Sequence, residues 1–308
     1  MSVLFPDKKI SVVMATFNGE KYLEEQLLSI LSQTRPPDSI IICDDLSTDR
    51  TPDILAAYHL KYPVITYEIN RQRLGVVGNF KKAVSLAIPG SYVALSDQDD
   101  IWLPGKLEAQ IGRMISFEDN ERPAIVYSDL CVIDKDGHTL NNSFWNELGH
   151  DGYEHCFETL LFGNFVTGCT VLMNHSMRRY FTDMPGDVLM HDAWLALIAF
   201  TFGNVSQIEM SLVLYRRHGS NVAYSASYKK PGRLQKTWRH FKRLVIQDRY
   251  LKSQIGMVEK FAKQYALLLN VEQASAISKF LSVLHSSYFR ERIVFSSMFA
   301  HRWKPKSK

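Results

Sequence analysis

The sequence predicts an α/β fold, a mostly parallel central sheet flanked by helices, followed by a basic helical C-terminal region. Three observations predict it. Over the first hundred residues short apolar runs alternate with segments of helical period, the pattern of strands joined by right-handed crossovers. The apolar runs are nearly unbroken, as in strands covered on both faces. Charge is divided: residues 1–227 carry 18 Lys and Arg against 28 Asp and Glu, and residues 228–308 carry 18 against 4. The two parts are therefore near −10 and +14, so a main domain is expected over 1–227 and a separate region over 228–308.

The elements follow in order. Ile10–Ala15 is apolar apart from Ser11 and reads as a buried strand, broken at Thr16–Gly19. Tyr22, Leu23, Gln26, Leu27, Ile30 and Leu31 recur at helical spacing until Pro36–Pro37. Ile40–Cys43 is a second strand, running into Asp44–Asp45. Thr48–Asp53 opens a helix with Pro52 in its first turn. Val64–Ile69 reads as a strand, Gly75–Ala87 as a helix, and Tyr92–Leu95 as a strand ending in SDQDD. Beyond Asp100 the expected elements are a helix at Leu107–Ile115, strands at Ala124–Ser128, Val166–Met173 and Leu212–Tyr215, and an apolar helix at Asp192–Phe202. Lys135–Gly152 reads as a long polar loop, and the region from 228 holds only helical patterns.

Composition narrows the function classes. With 308 residues, 46% of them hydrophobic and 22% charged, the chain can bury a core without staples. Its four cysteines, Cys43, Cys131, Cys156 and Cys169, form no C-x-x-C pair, which argues against a disulfide scaffold and a thiolate zinc site and suits a reducing compartment. MSVLFPDKK lacks a signal-peptide layout, and no run of about 20 apolar residues offers a membrane span, so the expected location is the cytoplasm. Neither G-x-G-x-x-G nor G-x-x-x-x-G-K-[ST] occurs, which leaves a dinucleotide fingerprint and a P-loop unsupported.

Open parallel sheets bind ligands at the carboxyl ends of their strands. Three expected strand ends carry polar clusters: Thr16–Asn18, Asp44–Asp45 and Asp97–Asp100. In an extended segment, alternate residues point the same way, so Asp97 and Asp99 can present two carboxylates to one site. Hard oxygens of that kind suit Mg²⁺ or Mn²⁺. Asp192 opens an apolar helix and fits either a plain N-cap or a general base. Tyr215–Asn221 (YRRHGSN) offers Arg216, Arg217 and His218 to a diphosphate or a metal, although taken without context it reads better as a solvated basic loop.

Taken together, ISVVMATFNGEKYLEEQLLSILSQT, IIICDDLSTDRT, LGVVGNFKKAV and YVALSDQDDIWLPGKL resemble the family 2 glycosyltransferases, inverting enzymes of GT-A fold, over roughly residues 8–225. SDQDDIW and YRRHGSN resemble the bacterial branch that includes rhamnosyltransferases. The resemblance implies a nucleotide-sugar-binding and catalytic domain at 1–227. It places Thr16, Asn18, Glu20, Asp45, Asn79, Asp97 and Arg217 around the donor nucleotide. It assigns Asp97 and Asp99 to the D-x-D metal motif, Asp99 the more direct ligand, and adds His218 as a further metal ligand. Asp192 falls at the catalytic base. The family's acidic pair is here His191–Asp192, a departure that makes His191 a second proton acceptor to consider.

The cofactor so implied is Mg²⁺ or Mn²⁺. The implied partners are a dTDP- or UDP-sugar donor and a glycan or lipid-linked acceptor. Two other classes share parts of the pattern. A sugar nucleotidyltransferase would carry a glycine-rich, basic loop after the first strand, which ATFNGEKY lacks. A non-catalytic nucleic-acid-binding protein could use the basic tail, but Trp238, Phe241, Leu244 and Val245 share one helical face, which fits a buried or membrane-facing stripe better. No nucleic-acid partner is therefore expected. Tyr288, Phe289, Ile293, Phe295, Met298, Phe299 and Trp303 lie among further cations, so the tail is expected to favour the anionic inner face of the plasma membrane.

Overall fold

The computed structural model describes residues 8–119, 121–188, 190–219, 248–282 and 298. Two compact units are present, residues 1–149 with 166–216, and residues 150–165 with 217–308.

The first unit opens with β1 (Ile10–Thr16), α1 (Leu23–Leu31), β2 (Ser39–Asp44), α2 (Thr51–Lys61), β3 (Ile65–Ile69), α3 (Gly75–Ser85) and β4 (Tyr92–Ser96). β1 pairs in parallel with β2 and β4, and β2 in parallel with β3. Sequence order is thus reversed about β1, and its flanks open a crevice at the strand carboxyl ends. β4 is buried at every position, and β1 at all but Ala15. One core cluster lies against α1 and α2 through Leu23, Leu27, Ile30, Ile54 and Leu55.

The chain continues through β5 (Ile101–Trp102), α4 (Lys106–Ile115), β6 (Ala124–Ile133), β7 (Thr139–Asn141) and α5 (Phe144–Leu148). In the second unit, α6 spans Phe157–Leu160; the first unit then resumes with β8 (Leu172–Met173), α7 (His175–Thr182), α8 (His191–Phe202) and β9 (Asn204–Arg216). Among the described residues the sheet has nine strands in the order β3-β2-β1-β4-β8-β6-β9-β5, with β7 beside β6. The α/β architecture follows the sequence expectation, but the parallel part ends at β4. β8 runs antiparallel to both β4 and β6, whereas β6 and β9 are parallel.

Several bounds differ from those read in the sequence. Val166–Met173 is not one strand: Gly168–Thr170 forms a 3₁₀ turn and only Leu172–Met173 pairs. β6 continues past Ser128 to Ile133, and β9 has 13 residues rather than four. The expected loop at 135–152 contains β7, α5 and a further 3₁₀ turn at His150–Gly152.

In the second unit, α9 (Asp248–Gln264) buries Gln254, Ile255, Met257, Val258 and Phe261, and α10 (Val271–Leu281) buries Ile277 and Phe280. Gln254 Nε2 donates to the Leu160 carbonyl at 3.1 Å, and Phe280 meets Phe162 edge-on at 5.1 Å. The Trp238–Val245 stripe and, except for Met298, the aromatic residues from Tyr288 to Trp303 lie outside the described residues.

Candidate active site

The carboxyl ends of β1 and β2 are tied into one platform. Thr16 Oγ1 and Ser47 Oγ both donate to Asp44 Oδ2, at 2.9 and 2.5 Å. Asn18 holds a left-handed φ of 48°, which Asn tolerates better than most residues. Its N–H donates to Ser47 Oγ, and its Oδ1 accepts from Thr48 N, both at 2.8 Å. Glu20 Oε2 accepts from Arg50 N at 2.9 Å. Thr16 is buried, while Asn18 and Glu20 are exposed on the rim. These three sequence-derived candidates are therefore brought together.

Asp45 and Asn79 meet beside that platform. Asp45 accepts from Leu74 N (2.7 Å), Gly75 N (2.9 Å), Asn70 Nδ2 (2.9 Å) and Arg73 Nε (3.1 Å). Burial works to raise its pKa, but those four donors outweigh burial and hold the carboxylate below its ordinary value. Gly75, at φ 69°, supplies the left-handed backbone that brings two successive N–H groups to one carboxylate. Asn79 is buried, with Nδ2 on the Cys43 carbonyl (2.7 Å) and Oδ1 on Asn70 Nδ2 (2.9 Å). Its amide thus ties the end of β2 to the residue that follows β3. The Arg73 guanidinium lies 3.4 Å from the centre of the Phe17 ring.

The acidic turn Asp97–Asp100 follows β4. Gln98 clamps it to the end of β1, accepting from Phe17 N at 2.9 Å and donating to Phe17 O at 3.1 Å. Arg216, at the end of β9, fixes its far side. Its N–H donates to Asp100 Oδ1 (3.1 Å), its Nε to the Asp99 carbonyl (3.0 Å), and its Nη2 pairs with Glu25 Oε2 (2.5 Å). At 3% exposure Arg216 is a brace inside the protein, which corrects the reading that offered it to a diphosphate.

Asp97, Asp100 and Cys169 place ligand atoms within 4.8 Å of one another; Asp99 is outside that trio. Burial raises the pKa of Asp97, and the charges of Asp99 and Asp192 raise it further. Asp100 is raised by burial, then by Asp99 and Asp97. Crowded carboxylates that resist ionising together are what a divalent cation relieves, so the carboxylates of the turn Asp97–Asp100 fit Mg²⁺ or Mn²⁺. Cys169 is the soft member of the trio, and burial keeps it a neutral thiol.

Asp192 lies in the first turn of α8. Its pKa rises to about 6 through burial, against the bond that its Oδ2 accepts from Gly168 N at 3.1 Å. His191 is 3% exposed, and burial lowers its pKa to about 4. Arg217 and His218 directly follow β9 and belong to the second unit. Gln98, Arg73 and Gly168 were not singled out in the sequence. Only Gln98 left a signal there, as the neutral residue inside an acidic run.

The comparisons with known proteins agree with this arrangement. The model for glycosyl transferase family 2 matches residues 11–180. An uncharacterized protein of Mycobacterium tuberculosis is 30% identical over 224 residues, which cover 70% of this chain and 61% of that protein. The chain thus spans about three fifths of that relative's length. The dTDP-rhamnosyl transferase RfbG of Shigella flexneri is 29% identical over 266 residues, 79% of this chain and 88% of RfbG. Among solved structures, Staphylococcus aureus TarS 1–349 in complex with UDP-GlcNAc is similar at a TM-score of 0.57 with 17% identity, over 94% of this chain and 90% of that 1–349 chain. A mannosyltransferase of Pyrobaculum calidifontis, in complex with GDP-Man and Mn²⁺, gives 0.50 at 16% identity, over 94% of this chain and 79% of that one. Strand-end clusters at β1, β2 and β4, set on a sheet of this order and matched over residues 11–180, make the chain a member of glycosyl transferase family 2.

Proposed function

We propose that the chain is a metal-dependent inverting glycosyltransferase. It moves a hexose, L-rhamnose in the first instance, from a nucleotide-diphosphate donor to a growing cell-surface polysaccharide or lipid-linked glycan. The observation that carries this reading is that one turn links Asp97, at the end of β4, to Asp192, at the start of α8: Cys169 stands within 4.8 Å of Asp97, and the Gly168 N–H donates to Asp192 at 3.1 Å. Asp97 belongs to the acidic donor-side turn and Asp192 is a carboxylate poised near neutrality. The RfbG likeness supports rhamnose and dTDP, and the bound nucleotide sugars of the two solved neighbours support the donor class.

In this reading the nucleotide lies along Thr16, Asn18, Glu20, Asp45 and Asn79, and Arg217 faces the diphosphate. A divalent cation at Asp97 and Asp99, with His218 as a further ligand, would offset charge on the diphosphate. Asp192 accepts the proton of the acceptor hydroxyl as that oxygen bonds to the anomeric carbon. The carbon–diphosphate bond breaks on the opposite face, its electron pair leaves with the nucleotide diphosphate, and configuration inverts. A panel of dTDP-, UDP- and GDP-sugars, read by nucleotide release with Mn²⁺ or Mg²⁺, tests the proposal. Turnover should appear with dTDP-L-rhamnose and stop with EDTA. Asp192→Asn should keep donor binding and lose about two orders of magnitude in turnover. No release from any donor, or full turnover by Asp192→Asn, would overturn it.

A further inference from the structure

We infer that Gly168 and His191 form a positioning device that fixes the Asp192 carboxylate. The inference rests on the reading of Asp192 as the base. Gly168 opens the 3₁₀ turn before β8, and its N–H donates to Asp192 Oδ2 at 3.1 Å. Its φ lies outside the left-handed region, so backbone freedom does not explain a glycine here. Space does. A Cβ on residue 168 would lie 2.8 Å from His191 Nε2 and 3.5 Å from its Cε1, and also 3.6 Å from Asp192 Cβ. The imidazole occupies the place a side chain would need.

That ring is itself held. It stacks on Phe80 of α3, with centroids 4.2 Å apart and planes at 29°, and meets Phe181 of α7 at 6.1 Å and 61°. Neither ring nitrogen has a hydrogen-bond partner among the described residues. An aromatic slot would accept a phenyl group without the cost of two buried nitrogens left unbonded. Imidazole is, however, the smaller ring, and it leaves room for the residue-168 backbone to approach Asp192. The order of support runs Phe80 and Phe181, His191, Gly168, Asp192. His191 is a positioning residue in this scheme and exchanges no proton with substrate.

A double-variant cycle tests the device, with kcat and KM measured by dTDP release from dTDP-L-rhamnose and a UDP-sugar as a second arm. Gly168→Ala should lower kcat about tenfold or more and leave donor KM within about twofold. His191→Ala should also lower kcat at unchanged donor KM. The coupling is the deciding readout: with His191→Ala present, the added methyl at 168 has room, so it should cost less than about twofold. Equal losses in both backgrounds, or an unchanged kcat in Gly168→Ala, would overturn the device. If Gly168→Ala does not fold by circular dichroism, His191→Ala alone decides, and an unchanged kcat overturns it. Asp192→Asn runs in parallel. An inactive Asp192→Asn beside a fully active Gly168→Ala defeats the device alone, whereas an active Asp192→Asn defeats the base reading and the device with it.

Discussion

Asp192 combines two opposed demands in one carboxyl group. Burial raises its pKa to about 6, while the Gly168 N–H favours its charged form. A base must be ionised to accept a proton, so turnover should fall about tenfold per pH unit below about 6 and level off above it. A pH–rate profile between 4.5 and 8, with metal saturating, checks this; a limb near the ordinary carboxylate value would refute it. Stability runs the other way. In the window between the ordinary value of 3.8 and about 6, the folded protein holds this proton more tightly than the unfolded chain does. The residue's stabilising contribution is therefore complete at low pH and lost as pH rises through about 6. Asp97 and Asp192 were legible in the sequence because each adjoins a strongly apolar element. Gly168 was not, because its contribution is a backbone N–H and an absent side chain, and neither has a pattern.

Elements were legible where burial is two-sided. β1, β2 and β4 were placed to within a residue or two because Ile10–Met14, Ile40–Cys43 and Tyr92–Leu95 are buried without a break. β6 is also buried throughout, but Ser128 and Asp129 interrupt its apolar run. The Asp129 carboxylate accepts from Leu130 N, Phe144 N, Trp145 N and Ser143 Oγ, so a polar pair inside a strand serves the start of α5. The first half of β9 went unread for another reason: Asn204–Ser211 is mostly half-buried or exposed. Among the described glycines, the closest approach lies between α8 and β9. A Cβ on Gly203 would stand 1.9 Å from the Pro123 carbonyl oxygen, which accepts from Asn204 N at 2.9 Å. Gly203→Ala must push these backbones apart, at a cost of about 2–3 kcal/mol or more. Urea denaturation should show it, and an unchanged midpoint would mean that the joint yields freely.

At the scale of the molecule, charge is the feature that the sequence states most plainly, with 18 cations against 4 anions in residues 228–308. No helix among the described residues is long and apolar enough to cross a membrane. Surface attachment is then the form that membrane association would take, each cation near an anionic leaflet contributing about 1 kcal/mol. The full chain should co-sediment with phosphatidylglycerol vesicles at low salt and leave them at high salt. Failure to bind at low ionic strength would assign the tail to packing or to a protein partner. The donor-side residues were readable because they sit at the ends of local strand–helix repeats. The proposed base lies beyond β8, whose placement depends on antiparallel joins to β4 and β6 that no short window of sequence displays.

The two-residue strand β8 also sets an order in time. Asp97 and Asp192 are 95 residues apart in the chain, and among the described residues β8 joins the parallel strands to β6. On a ribosome adding ~5–20 residues per second, roughly 5–20 s separate the emergence of the acidic turn from that of α8. β1, β2 and β3 pair through short crossovers, whereas β4 must reach back from Tyr92 to β1, and β8 from Leu172 to β4, each closing a long loop. Assembly thus runs from the nucleotide side toward the chemistry. On the proposed roles, a nascent chain would acquire a place to hold a donor well before it acquires the carboxylate that could set that donor reacting.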